Sequence, residues 1–192
     1  MKKSLYLLLI LASTFLLPSC SYNTLVANDE AVNKAWADVE AAYQRRADLI
    51  GNLVETVKGE AKFEQETLTQ VIEARSKATS MQVDAKDLTP ENIAKFQEAQ
   101  SQLSGALSKL LVVVERYPDL KATQGFQKLM NQLEGTENRI NVARRDYNAA
   151  VQTNNTKVRS FPSNITAKIF GFEKRELFKA DAGAEKAPTV KF

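Results

Sequence analysis

The sequence predicts an all-α fold in which long antiparallel helices form a three- to four-helix bundle with coiled-coil-like seams. Three observations predict it. Apolar residues recur at alternating spacings of three and four over three long stretches, the period of a helix stripe. Glycine and proline are scarce, 7 and 5 among 192 residues, which argues against a turn-rich β protein. Three of the prolines, Pro90, Pro118 and Pro162, stand at the ends of periodic stretches, where a residue lacking an N–H fits.

The first twenty residues read as an address. Lys2 and Lys3 precede an apolar run from Leu5 to Leu17. Spanning a bilayer takes about 20 apolar residues, so a run this short behind basic residues reads as a secretory signal. It ends in Leu17-Pro18-Ser19-Cys20, with the chain's one cysteine last. An aliphatic residue, then a small residue directly before cysteine, is the pattern of a bacterial lipobox. Residues 1–19 are therefore expected to be cut away before Cys20, whose thiol would carry diacylglycerol. Two or three acyl chains anchor firmly, at about 0.8 kcal/mol per buried CH2. The competing readings are an ordinary signal peptide with an incidental cysteine, and an uncleaved anchor. Residues 20–28 are expected to be the lipidated cysteine and a short tether.

The first helical stretch runs Val32, Trp36, Val39, Tyr43, Arg46, Ile50, Leu53, Val57, then Ala61, Glu64, Leu68, Val71, Arg75 and Ala78. Two successive spacings of four at 53–57–61 make a stutter. Gly51 beside it is the weakest helix former nearby, so a kink or break is expected there. At 1.5 Å per residue, one helix over 29–80 would be about 78 Å long, against about 40 Å for the next one. Either the first helix breaks and folds back, giving four segments of similar length, or its N-terminal half is a stalk. Residues 84–90 form a polar connector, with Thr89 as N-cap and Pro90 as first helical residue.

The second stretch is Ile93, Phe96, Gln100, Leu103, Leu107, Leu110, Val114 and Tyr117, stopped by Pro118. Asp119 is suited to cap the third, which runs Phe126, Leu129, Leu133, Thr136, Ile140, Ala143, Tyr147, Ala150, Asn154 and Val158 up to Pro162. A short apolar segment follows, Ile165 to Phe172. The bundle is expected over 29–178, and the tail 179–192, poor in apolar residues, to be disordered.

Composition excludes more chemistry than it suggests. The chain has no histidine and one cysteine, which removes the commonest general base, disulfides and thiolate metal cages. No metal or other cofactor is expected. Loss of residues 1–19 leaves 24 basic against 23 acidic residues, too even for a nucleic-acid face. The balance is uneven along the chain: residues 157–192 carry 8 basic and 4 acidic, and such a tail is suited to an anionic membrane or simply to water. No Walker, GxSxG, HExxH or dinucleotide-binding glycine pattern occurs, so the chain is expected not to be an enzyme.

The candidate interaction or structural residues are Arg46, Glu64, Arg75, Tyr117, Asp119, Tyr147 and Asn148, with Cys20 as the lipidation site. Arg46, Glu64 and Arg75 fall on a seam, where an unpaired charge is very costly. They are expected to pair within the bundle, with Glu137, Arg139, Arg144 and Arg145 as possible partners, or to snorkel to solvent. Tyr117 and Asp119 flank a helix junction. Tyr147 and Asn148 lie late in the third stretch, where an asparagine is better explained by hydrogen bonding than by propensity. Phe170-Gly171-Phe172 is read as a cap over the bundle's end rather than a partner or membrane contact.

Several segments resemble the LemA family of bacterial membrane-anchored helical proteins. They are Tyr22 to Val26, Ala35-Trp36, Arg45 to Gly59, Glu73-Ala74-Arg75, Glu115 to Ala122, Thr136 to Ile140, Ala143-Arg144, Tyr147-Asn148, Phe161-Pro162 and Gly171-Phe172, in the family's order. The chain departs from the family's usual residues at Gly51, Glu60, Phe63 and Asn154. The resemblance implies a helical bundle on a membrane anchor, in many members an uncleaved transmembrane helix, and implies no catalytic mechanism. The expected function is a non-enzymatic interaction or scaffold module, lipid-anchored in the bacterial cell membrane and facing away from the cytoplasm. Its expected partner is another envelope protein. The alternative is a bundle that binds a small ligand or lipid.

Overall fold

A computed structural model describes residues 2–59 and 64–178, with side chains from Ser21 onward. All regular structure among these residues is helical: α1 (Lys2–Lys58), α2 (Gln65–Ser80), a 3-10 turn (Ala85–Asp87), α3 (Pro90–Val114), α4 (Pro118–Lys121), α5 (Gln124–Arg159) and α6 (Ser163–Phe170). Seam position Ala61, the side chain of Cys20 and the tail 179–192 lie outside the described residues. Among the described residues no helix is long and apolar enough to cross a membrane.

The 3-4 periodicity maps onto burial at most positions, although on α5 the seam passes through buried Val151 rather than Ala150, and Leu107, Leu129 and Val158 are only half-buried. Val32, Trp36, Val39, Tyr43, Arg46, Ile50, Leu53 and Val57 are all buried on α1. On α3 the same holds for Ile93, Phe96, Gln100, Leu103, Leu110 and Val114, and on α5 for Phe126, Leu133, Thr136, Ile140, Ala143, Tyr147 and Asn154. Trp36 faces Tyr147 at 5.6 Å between ring centroids, and Arg46 meets Glu137 at 3.0 Å. Residue numbers thus rise along α1 as they fall along α5. α2 and α3 are likewise opposed, with Gln100 reaching the Ala78 carbonyl and Arg116 reaching Glu64.

The helix boundaries follow local chemistry. Thr89 accepts from the Asn92 amide at the start of α3, with Pro90 as its first residue, as the sequence suggests. At the next junction the cap differs from expectation. A one-turn helix, α4, separates α3 from α5, and Thr123 rather than Asp119 caps α5 by accepting from the Phe126 amide. Asp119 instead lies exposed in the first turn of α4. Gly171 ends α6 at φ 75°, a left-handed conformation that glycine adopts without strain.

Two further expectations are corrected. α1 continues through Gly51 and ends at Lys58, so the helix does not break at Gly51. The reason lies across the interface: the Arg75 guanidinium rests where a side chain at 51 would begin, with Cζ and Nε both 3.1 Å from that position. Glycine there makes room for a neighbour and does not break the helix. Residues 20–28, read as the lipidated cysteine and a short tether, are helical within α1, and Leu25 is fully buried.

The core has two apolar clusters. One gathers Val32, Trp36, Val39, Tyr43, Phe96, Ile140, Tyr147 and Phe178; the other gathers Ile50, Leu53, Val57, Leu68, Leu103, Leu110, Phe126 and Leu133. Trp36 centres the first. Its ring stacks on Phe178 at 5.7 Å and meets Phe96 edge-on at 5.3 Å, while its indole N–H donates to the Val83 carbonyl at 2.9 Å. Replacing Trp36 by Ala should cost about 3–5 kcal/mol, the range for removing a large buried aromatic. Urea unfolding followed by far-UV circular dichroism measures it.

Candidate functional site

Between the two clusters lies a polar layer built on Arg46. α1 delivers this residue to the seam by helical period alone, and only 3% of it is exposed. Its guanidinium donates to the Gln100 side chain at 2.7 Å and main-chain carbonyl at 3.2 Å, to Ser104 Oγ at 3.0 Å and to Glu137 Oε1 at 3.0 Å. Its carbon Cζ lies 4.9 Å from the centroid of the Tyr43 ring. Gln100 in turn donates to the Ala78 carbonyl at the end of α2. One cation therefore joins α1, α3 and α5 directly and α2 through one intermediary. A groove of ≈ 350 Å³ opens onto it, lined also by Gln97, Ser101, Asn141 and Arg144.

The other seam charges take lesser roles. Arg75 is half-buried, donating from Nε to the Ala47 carbonyl at 2.7 Å and lying 3.7 Å from Asp48. Glu64 is exposed and pairs with Arg116 at 2.7 Å, a surface pair of small energetic consequence. Tyr117 is partly buried against the second cluster, at the corner before α4. The structure thus brings Arg46 and Glu137 together, as the sequence suggests, but gathers Glu64, Arg75, Tyr117 and Asp119 into no common site.

Tyr147 and Asn148 belong to a feature that the sequence analysis did not anticipate. The irregular segment 172–178 runs back along α5 and is held by side chains. Asn155 grips Arg175 through both main-chain groups, accepting from its amide and donating to its carbonyl, each at 2.8 Å. Asn148 grips Phe178 in the same way, at 2.9 and 3.3 Å. The Tyr147 hydroxyl donates to the Glu176 carbonyl at 2.9 Å. Seven helical residues rise about 10.5 Å, and three extended residues span about 10 Å, so the two rungs fit a nearly straight chain. Burial pushes the Tyr147 phenol up to about 12, and it stays a neutral donor. Arg175 completes the fastening, donating twice to Asp29 Oδ1 (2.9 and 3.2 Å) and once to the Ala85 carbonyl at 3.3 Å. Two asparagines one heptad apart were the signal in the sequence. Nothing in periodicity reveals that their partner is main chain.

A larger cleft of ≈ 690 Å³ lies between α1 and the 78–85 connector, with Glu40, Tyr43, Met81, Val83, Asp84 and Phe96 on its walls. Burial raises the Glu40 pKa above its usual 4.5, against the lowering effect of hydrogen bonds from Val83 and Trp36. No group of acidic or cysteine side chains suited to a metal ion occurs among the described residues. Asn154, fully buried on the α5 seam, finds no partner for either side-chain polar atom.

Fold and site define an all-helical protein whose core polar groups are mostly held by one another. Residues 35–192 match the LemA family, and the chain belongs to it. Magnetosome proteins MamQ 2 and MamQ 1 of Paramagnetospirillum magneticum are each 29% identical over 179 residues. That covers 82% of this chain but 64% of either relative, so the chain spans just under two thirds of their length. Protein LemA of Metamycoplasma hominis is 26% identical, covering 82% of this chain and 68% of its own.

Two outcomes are expected at these positions. Arg46→Ala should destabilise the fold by about 3 kcal/mol, as for one partner of a buried charge network, and Glu137→Gln should also destabilise it, by less, because Gln keeps an acceptor for the guanidinium but leaves the buried cation without its carboxylate. Chemical denaturation of both variants decides this. Glu40 binds a proton more tightly folded than unfolded, so its ionisation lowers stability as pH rises from 4.5 through its raised value. Glu40→Gln should therefore raise the melting temperature at pH 7, and the gain should vanish below pH 4.5.

Proposed function

We propose that this LemA-family protein is a non-enzymatic interaction or scaffold module, lipid-anchored through Cys20 in the bacterial envelope and facing away from the cytoplasm. In this reading, α1, α2, α3 and α5 make an antiparallel four-helix bundle with coiled-coil-like seams, and another envelope protein binds its outer faces. Nucleic acid is no partner, and no cofactor takes part.

The observation that carries the reading is the internal pairing of the candidate residues. Arg46 is engaged by Gln100, Ser104 and Glu137, and Tyr147 and Asn148 by the main chain of 176 and 178. Side chains held this way set register, which leaves recognition to the exposed surface. Relatives as differently named as a magnetosome protein and a mycoplasma protein suit a shared scaffold better than one conserved reaction. The lipobox at Leu17–Cys20 supplies the anchor. A second reading, a small-ligand or lipid-binding bundle, is favoured by one feature, the cleft beside Glu40.

Crosslinking in cells followed by pull-down, with Cys20→Ala as control, tests the proposal. The expected result is one dominant envelope partner, lost when Cys20→Ala releases the protein from membranes. No partner, at a crosslinking efficiency proven on a known complex, overturns the scaffold reading. Unchanged fractionation and processing of Cys20→Ala overturns the anchor.

A further inference from the structure

α6 is amphipathic in the wrong sense for a helix packed on a protein body. It turns Ser163, Thr166 and Ala167 inward and leaves Ile165 53%, Ile169 71% and Phe170 58% exposed, with Phe161 just ahead of it at 81%. Ile165 and Ile169 are one turn apart and form a single stripe. A surface helix ordinarily buries its apolar stripe and shows polar residues to water. Single exposed apolar residues need no explanation, but four large ones within ten positions make a patch, and a patch marks a contact.

The position of the patch says what the contact is. Tyr22 packs on Phe170 at 4.8 Å and on Phe172 at 5.8 Å. α6 therefore flanks the start of the described side chains on α1, two residues beyond Cys20 and just behind the apolar run Leu5–Leu17. This is the end of the molecule that either anchor, lipid or helix, brings to the bilayer. The charge around the patch matches that surface. Residues 157–174 carry four basic side chains, Lys157, Arg159, Lys168 and Lys174, against the single acid Glu173. An apolar stripe with aromatic neighbours and a basic margin is the composition of a helix lying in the interface of an anionic membrane.

We infer that Phe161, Ile165, Ile169 and Phe170 enter the headgroup region of the membrane that carries the anchor, as a second contact that fixes how the helical body stands on the bilayer. The inference rests on the membrane-anchored reading above and adds to it a site for lipid. It adds to the expectation that Phe170-Gly171-Phe172 caps the bundle: Phe170 and Phe172 pack on Tyr22, and the exposed apolar stripe of α6 is left for the membrane.

The test uses the full, processed chain in vesicles of phosphatidylethanolamine and phosphatidylglycerol. A single cysteine is introduced as Ile169→Cys, or at the exposed α3 position as Val112→Cys, and labelled with an environment-sensitive fluorophore. The lipidated Cys20 thiol takes no label, so labelling of the unsubstituted chain reports failure of the anchor reading separately. The expected result is blue-shifted emission at 169 that nitroxide-bearing lipids quench, with neither effect at 112. Adding Ile165→Glu should return the 169 probe to water while the protein stays on the vesicles. A probe at 169 as water-exposed as that at 112 overturns the inference. So does a blue-shifted probe that lipid nitroxides leave unquenched, because that assigns the patch to protein contact.

Discussion

A positive charge in the middle of the seam is the constraint around which the core is arranged. Arg46 occupies a position that periodicity assigns to an apolar residue, and only 3% of it is exposed. An uncompensated charge at such a site would be prohibitive. Its two terminal nitrogens find acceptors on α3 and α5, with Gln100 extending the network to the end of α2, while the buried Nε has no partner. Each of these bonds works at one axial setting only, because a slide of one turn along either neighbour shifts its side chains by about 5.4 Å. An apolar layer in the same place would tolerate several registers. The network thus contributes uniqueness more than stability, the best-attested use of buried polar groups. It also divides the apolar interior into its two clusters.

The second fastening joins the segment 172–178 to α1. Phe178 stacks on Trp36, Arg175 reaches Asp29, and two asparagines of α5 hold the segment between them straight. The aromatic cluster around Trp36 is therefore closed by a residue that belongs to no helix. Side chains stand in here for the hydrogen bonds that a neighbouring strand would otherwise supply, so an irregular segment lies on a helix with several of its main-chain groups satisfied. Asp29 of α1, the 3-10 turn and the segment 172–178 are held together through one guanidinium.

Burial along the helices was legible because period and burial are the same physical fact: a residue returning every three or four positions faces the same neighbour. Val32 through Val57 were identified position by position on that basis, including the anomalous Arg46, whereas Glu137 was one of four residues that could have met the seam charges. Thr89 and Pro90 were legible because capping is local. Three things were not. Gly51 has low helix propensity, but its role depends on Arg75, twenty-four residues away and visible only once α2 has folded back. Asp119 and Thr123 are both competent caps, and the choice between them hangs on whether Pro118 starts a turn of its own. The segment 172–178 has no period, and its fastenings run from side chains to main chain, a kind of contact that leaves no mark on composition.

The continuity of α1 from residue 20 into the core makes the molecule a pillar of fixed altitude. In the lipid-anchored reading there is no slack between Cys20 and the first buried turn, so Trp36 stands about 24 Å and Lys58 about 57 Å along the axis from Cys20. Height and heading are locked together in such a pillar, since each residue added to the shaft would raise everything above it by about 1.5 Å and swing it by about 100°. A partner of a protein anchored in that way would meet its upper faces at a set elevation and compass bearing over the lipid, which a flexible leash of the same length would leave free.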